Sequence, residues 1–404
     1  MDKEAAPPEF PFAQRRPFEI APEYGELRGE CPVSQVRMPT GELAWLVTRY
    51  DDVRTVLTDS RVTADRLHPG YPVPLGFRDR AMLQQMGRGG IMGMDPPEHS
   101  THRRLLVPEF TVQRMRALRP RTKEIVEDCV ADVMAATEHP VDLVPALAVP
   151  VPSRLFCELL EVPRADHDFV HHRTRVLLSR DVPDDEKRTI AAELPRFYED
   201  LVARKEKEDG DDLLSRIMAA YRAAGMYERG LMARMVGGFL VSADTTANMI
   251  PLGVVALMSH PEQLALLKED PALAANAVDE LLRFFSPTAE VTGYRAATAD
   301  IEIGGAVIKE GDGIIALTSA ANRDERTFER PDELDVRRPV GHHLAFGFGV
   351  HQCLGQNLAR MILEVTFGTL FERIPDLRLA VPVAELPFRD YAVAHGLYEL
   401  PVTW

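Results

Sequence analysis

A chain of 404 residues, 45% hydrophobic and 27% charged, can bury a large cofactor and has the composition of a globular protein, which excludes disordered and fibrous classes. Its formal net charge of −15 removes the basic surface that general nucleic-acid or acidic-membrane binding requires. Four cysteines, Cys31, Cys129, Cys157 and Cys353, show no repeated spacing, which argues against a disulfide framework and fits a reducing cytoplasm.

The opening run MDKEAAPPEFPFAQRRPF has prolines and charges where a signal peptide or anchor needs an apolar core, so a surface arm of about 20 residues is expected. Leu43–Val47 predicts a strand, and Asp51–Thr58 a helix with Asp51 as its N-cap. Arg66–Met94, rich in Gly, Pro, Arg and Met, predicts a long loop of the kind that usually carries function. Pro96 and Pro97 then block a helix upstream while Glu98 can begin one, placing His99 and Arg103 on a shared face. By spacing alone that pair is a solvated one.

Arg103, Arg104, Arg114, Arg116, Arg119, Arg121 and Lys123 make the next segment basic in an acidic protein. It reads as a solvated face or as a surface that steers an acidic partner. Ile125–Met218 predicts several helices broken at Pro140, Pro145, Pro150, Pro152, Pro163 and Pro183, with Asp181–Lys187 a polar loop able to act as a lid.

Leu231–Leu257 predicts one long helix, and its apolar part contains Asp244, Asn248 and Pro251, which suits a buried helix better than a membrane span. Gly238, Val241, Ser242, Thr245 and Met249 fall on one side of it. Thr245 either back-bonds to a carbonyl and bends the helix or, beside Asp244, forms an acid–alcohol pair able to relay protons. Further on, Glu280 and Arg283 share a helix that ends before Pro287, after which alternation with Gly turns predicts strands.

The stretch His342–Arg360, HHLAFGFGVHQCLGQNLAR, presents Cys353 among Gly347, Gly349 and Gly355, where the chain can take φ > 0 or admit a flat cofactor against the backbone. Leu354, Leu358, Met361, Ile362 and Val365 then recur at helical spacing, so Cys353 is expected at a helix N-terminus, where a thiolate is favoured. A bare cysteine is usually an inert small hydrophobe; Phe346, Gly349, His351, Cys353 and Gly355 in one loop before a helix point to a ligating one. Finally, Ala392–Val402 predicts a hairpin with His395 and Gly396 at its turn.

This cysteine loop resembles the haem-binding loop of the cytochrome P450 family, and the likeness continues in the family's order through nearly the whole chain. The resemblance implies a mainly α fold with smaller β-sheets (α+β), as one domain over 1–404. Its β-rich portion would come from 40–65, 288–320 and 376–404, and its helical portion from 96–286 and 354–373. It implies haem b with the Cys353 thiolate on iron and Phe346 shielding the sulfur in the loop shaped by Gly349 and Gly355. His99, Arg103, Arg295 and His351 would anchor propionates; Glu280, Arg283 and Arg338 would form a structural lock. Thr245 would hold the oxygen and Asp244 feed protons.

Substrate would meet Gly238, Val241, Ser242, Thr288, Val291, Thr292 and His395. The family usually has Ala or Gly followed by Gly where this chain has Val241 and Ser242, which narrows the space and adds a hydroxyl. The segments GQNLAR, GLYELPVTW and NMIPLG look most like soluble actinobacterial members acting on secondary metabolites and xenobiotics. The implied reaction is insertion of one oxygen atom from O2 into a hydrophobic small molecule, with electrons from NAD(P)H through ferredoxin reductase and ferredoxin. The protein is expected to be a cytoplasmic monomer without membrane or nucleic-acid partners. Two alternatives stay open: a haem-thiolate oxidase catalysing coupling, cyclisation or desaturation, and a non-enzymatic haem sensor or carrier.

Overall fold

The computed structural model describes residues 6–12, 18–75, 79–85, 87–88, 90–178, 182–208, 210–288, 292–389 and 395–404. They form two compact units, Met1–Ser100 with Asp279–Cys353, and Thr101–Val278 with Leu354–Trp404.

The first unit is built on β1 (Val33–Arg37), β2 (Leu43–Val47), β3 (Val62–Thr63), β5 (Tyr294–Ala297) and β8 (Gly313–Ala316), in the order β1-β2-β8-β5-β3. Strand β2 falls on the predicted residues and runs parallel to β8, with Leu46 opposite Ile315. Because side chains alternate across a strand, Leu46, Tyr294 and Ile315 pack with Tyr24 and Leu27 of helix α1 (Pro22–Glu30). Val47, Ile314 and Ala316 pack on the other face with Val53 and Val56 of α2 (Tyr50–Thr58). Both faces are covered, so β5 and β8 are buried throughout. A two-stranded ribbon, β6 (Ile301–Ile303) with β7 (Ala306–Ile308), completes the strands of this unit among the described residues, and a short helix, α13 (Thr318–Ala321), follows β8.

Two local readings change. Arg49, not Asp51, is the N-cap of α2, and Asp324 serves its first turn by accepting the Tyr50 N–H at 3.0 Å. The expected loop 66–94 contains helix α3 (Arg80–Gln85) and a 3₁₀ turn, Gly90–Gly93. Asp95 fastens its far end, accepting the Ala64 N–H at 2.9 Å and the Thr63 hydroxyl. Helix α4 (Glu98–Leu106) then starts where the prolines predicted.

Glu280 and Arg283, on α12 (Ala274–Phe285), are fully buried and joined by two hydrogen bonds of 2.7 and 2.8 Å. Arg338 adds a third bond to Glu280, 3.1 Å, and Arg283 reaches on to the Asn322 and Pro331 carbonyls, 2.8 Å each. The three residues singled out in the sequence are therefore one knot.

The second unit contains α5 (Val112–Met134), α6 (Pro150–Leu159), α7 (His167–Leu178), α8 (Asp184–Lys205), α9 (Leu213–Ala223), α10 (Arg229–Ser259), α11 (Pro261–Glu269) and α14 (Gln356–Arg373). The 31 residues of α10 run through its core, packed on α6, α7, α8, α11 and α14. This is the one helix among the described residues with the length and hydropathy of a membrane span, but 83% of its apolar window is buried within the protein.

Pro140, Pro163 and Pro183 fall between helices, as the sequence predicts. Pro150 and Pro152 open α6, where the first N–H groups have no helical partner to lose, and Pro120 and Pro195 are accommodated inside α5 and α8. The proposed lid is also revised: Asp184–Lys187 is the first turn of α8, with Lys187 buried, and Asp181 lies outside the described residues. Strands β9 (Arg378–Leu379) and β10 (Pro401–Thr403) pair with β4 (Val141–Asp142) in the order β4-β10-β9. The C-terminal hairpin comes earlier than expected, closed by Arg389 N–H to the Gly396 carbonyl and Tyr398 N–H to the Pro387 carbonyl, both 2.9 Å.

Removing one member of a buried ion pair leaves its partner's charge uncompensated. Arg283→Met should lower the stability of the fold by about 3–5 kcal/mol in urea unfolding, whereas Lys309→Met, which breaks an exposed pair with Asp300, should leave the midpoint in place.

Candidate active site

Cys353 lies in an irregular loop whose turns depend on glycine: Gly347 has φ +70° and Gly349 φ +74°. A Cβ at Gly349 would sit 2.6 Å from the Leu57 carbonyl oxygen, so this glycine lets the loop rest against the end of α2. Gly355 has φ −85° and is the N-cap of α14, which places Cys353 two residues ahead of the cap and not in the first turn. The Cys353 N–H donates to the Phe346 carbonyl at 2.8 Å, closing the loop between these two residues. Its side chain is exposed, whereas Cys129 and Cys157 are buried and burial raises their thiol pKa, for Cys157 to about 12. Of the three, Cys353 alone is placed to act as a ligand.

The same unit holds His99, Arg295 and His351, three of the residues expected around it. The buried His99 ring lies 4.1 Å from the His351 ring. Arg295 is 8% exposed, and its Nη1 donates to the Thr292 and Tyr294 carbonyls at 3.2 and 2.6 Å. Among the described residues no carboxylate forms an ion pair with it, and burial pushes its pKa down. A buried guanidinium with only carbonyl acceptors is stabilised by an anion. An exposed thiol, two adjacent imidazoles and an uncompensated buried cation fit the iron and propionates of a haem b. Arg103 follows His99 by one turn of α4 and is half-buried.

Of the residues expected to contact substrate, Thr292 donates both its N–H and its hydroxyl to the Thr288 carbonyl, at 3.1 and 3.0 Å. Extended backbone begins only at Tyr294, and Val291 lies outside the described residues. Thr292 is exposed and Thr288 half-buried.

In the second unit, Gly238, Val241, Ser242 and Thr245 are half-buried on one side of the largely buried α10, while Met249 is fully covered. The hydroxyls on this side are engaged: Ser242 donates to the Phe239 carbonyl at 2.6 Å and Thr245 to the Ser242 carbonyl at 2.8 Å. The back-bonded form weighed for Thr245 is thus the observed one, and Ser242 presents its oxygen with its proton committed to the helix. His395 stacks on Phe388, with ring centroids 6.0 Å apart.

Asp244 carries the feature that sequence reasoning missed. The Asn248 amide donates to both the Asp244 carbonyl and Oδ2, at 2.9 and 3.0 Å, and the Asn248 Oδ1 accepts from Arg389 Nη1 at 2.9 Å. That guanidinium nitrogen is also 4.0 Å from Asp244 Oδ2. A Cβ at Gly396 would stand 2.2 Å from Asn248 Oδ1, so the C-terminal hairpin needs glycine there to bring Arg389 in. The i, i+4 spacing of Asp244 and Asn248 was a usable signal; nothing in the sequence announced Arg389.

Comparison with known proteins agrees with this geometry. The sequence model of the family described as Cytochrome P450 matches residues 180–374. Pentalenic acid synthase of Streptomyces avermitilis is 43% identical over 99% of this chain and 98% of its own length. Mycinamicin IV hydroxylase/epoxidase of Micromonospora griseorubida is 40% identical over 99% of each chain. The crystal structure of cytochrome P450 MoxA from Nonomuraea recticatena is similar with a TM-score of 0.91 at 47% identity, covering 98% of both chains.

Asp244 and Arg389 compensate one another in a buried setting. Arg389→Met should therefore destabilise the protein by about 3 kcal/mol in urea unfolding, and adding Asp244→Asn should recover part of the loss, because neither charge is then left unpaired.

Proposed function

The chain belongs to the cytochrome P450 family of haem-thiolate monooxygenases, and from that premise we propose that it hydroxylates or epoxidises a lipophilic small molecule. The carrying observation is the Cys353 loop, with Arg295, His99 and His351 in the same unit. In this reading the Cys353 thiolate holds the iron, and His99, Arg103, Arg295 and His351 hold the propionates. When bound, the haem supplies the redox chemistry that activates O2.

The protein's share is orientation, exclusion of water and proton handling. Val241 and Ser242 narrow the space on their side of α10, and with Gly238, Thr288, Thr292 and His395 they would restrict how a substrate can lie. Asp244 is the proton carrier, at Oδ2, held in place by Asn248 and Arg389. Thr245 Oγ1, released from the Ser242 carbonyl, can pass a proton on through its own hydroxyl. Electrons come from NAD(P)H through ferredoxin reductase and ferredoxin, in the cytoplasm. A secondary metabolite is the favoured substrate class, supported by relatives named for pentalenic acid synthesis and for mycinamicin IV hydroxylation or epoxidation.

The reduced protein under carbon monoxide should show the red-shifted band of a thiolate-ligated haem, and Cys353→Ala should lose it; a haem-replete wild type without the band would overturn the ligand assignment. Asp244→Asn should slow product formation by about 100-fold with substrate affinity retained. Turnover under isotopically labelled O2 should place one labelled atom in the product. A coupled, cyclised or desaturated product without label would establish the oxidase reading instead.

A further inference from the structure

We infer that a cleft of about 140 Å³ in the helical unit, away from the residues assigned above, binds a small monoanion with a compact apolar body. Its walls are apolar, formed by Phe110, Met115, Leu118, Leu159, Leu213 and Leu358. A dry cavity of roughly 150 Å³ is known to hold a benzene-sized guest, so the space suits a single ring or a short branched chain.

The charge at its edge sets the sign of the ligand. Arg114, Arg216 and Glu109 are the charged residues of the lining. Glu109 Oε2 accepts from Arg216 Nε at 2.8 Å and Oε1 from Arg114 Nη2 at 3.5 Å, so one carboxylate is shared by two guanidiniums and one positive charge is left over. Asp211 lies 3.4 Å from Arg216 Nη1, but its side chain is 95% exposed and solvent weakens that pair. Among the described residues, Arg216 Nη2 and Arg114 Nη1 have no hydrogen-bond partner. Planar guanidinium donors match a carboxylate, and a neutral guest would leave the surplus charge unanswered.

The body of such a ligand would lie on Phe110 and Leu358. The Phe110 ring is 5.6 Å from the Phe239 ring of α10, and its carbonyl accepts from Asn357 Nδ2 at 2.9 Å, so this wall is fastened to both α10 and α14. A rigid wall of this kind makes the cleft a preformed site.

The test is isothermal titration of the haem-loaded protein with phenylacetate, with the iron occupied by saturating imidazole so that binding at the haem does not contribute. One site should saturate, and the neutral isostere phenylacetamide should bind at least about tenfold more weakly, as should phenylacetate to Arg216→Met. Ala117→Phe, a change at an exposed position of the cleft, should abolish binding without moving the unfolding temperature. The inference is overturned if phenylacetate shows no saturable heat to about 10 mM, or if its affinity is the same for phenylacetamide, for Arg216→Met or for Ala117→Phe. Because imidazole holds the iron throughout, this result does not depend on the reaction proposed above.

Discussion

The fully buried Glu280–Arg283 pair is the constraint on which the cysteine loop depends. Two charges without solvent are tolerable only when every lone pair and N–H is used, and here Arg338 completes Glu280 while the Asn322 and Pro331 carbonyls complete Arg283. Asn322 is the next link. Its Oδ1 accepts the Leu344 N–H at 2.7 Å and its amide donates to Ser286 at 2.7 Å, so the start of the loop is fixed to the end of α12. From Leu344 the chain closes on itself, with the Gly347 N–H on the Leu344 carbonyl and the Cys353 N–H on that of Phe346. A sulfur in an exposed, irregular segment is thereby held through backbone bonds that run back to a buried ion pair.

A second buried charge is treated differently on α10. Asp244 Oδ2 accepts from the Asn248 amide at 3.0 Å, and the guanidinium of Arg389 stands 4.0 Å away. A carboxylate with no cation at hand would be too costly to bury as an anion. Arg389 supplies a compensating charge to the buried Asp244. That contact also ties Asp244 to the C-terminal hairpin, whose closure against Asn248 requires Gly396.

What could be read in the sequence follows a physical division. Contacts local in the chain were legible: the β2 residues, the start of α4 after its prolines, the extent of α10 and the Glu280–Arg283 spacing each rest on period, capping or an i, i+3 relation. The Cys353 loop was legible because positive-φ glycines and a following helix crowd many constraints into few residues. Distant partners were not. Asp324 displaced Asp51 from the N-terminus of α2, and Arg389 reached Asp244 from more than a hundred residues away. Thr292, a strand-forming residue type, bonds back through its N–H and hydroxyl to the Thr288 carbonyl, a local choice that β-propensity alone does not give.

The basic segment shows how an accurate composition can still overstate a field. Arg114 is paired with Glu109, Arg119 with Glu364 of α14, Arg121 with both Glu124 and Glu158, and Lys123 with Glu127. Exposed pairs like these add little to stability, but each one cancels charge over the distance at which a partner would first feel it. Among the described residues, Arg104 and Arg116 are exposed without a carboxylate partner. Any attraction of an acidic electron donor to this face therefore rests on a few cations, not on the seven that the sequence displays. In a chain of net charge −15 this face is a local exception, and its field is carried by the cations that no carboxylate cancels.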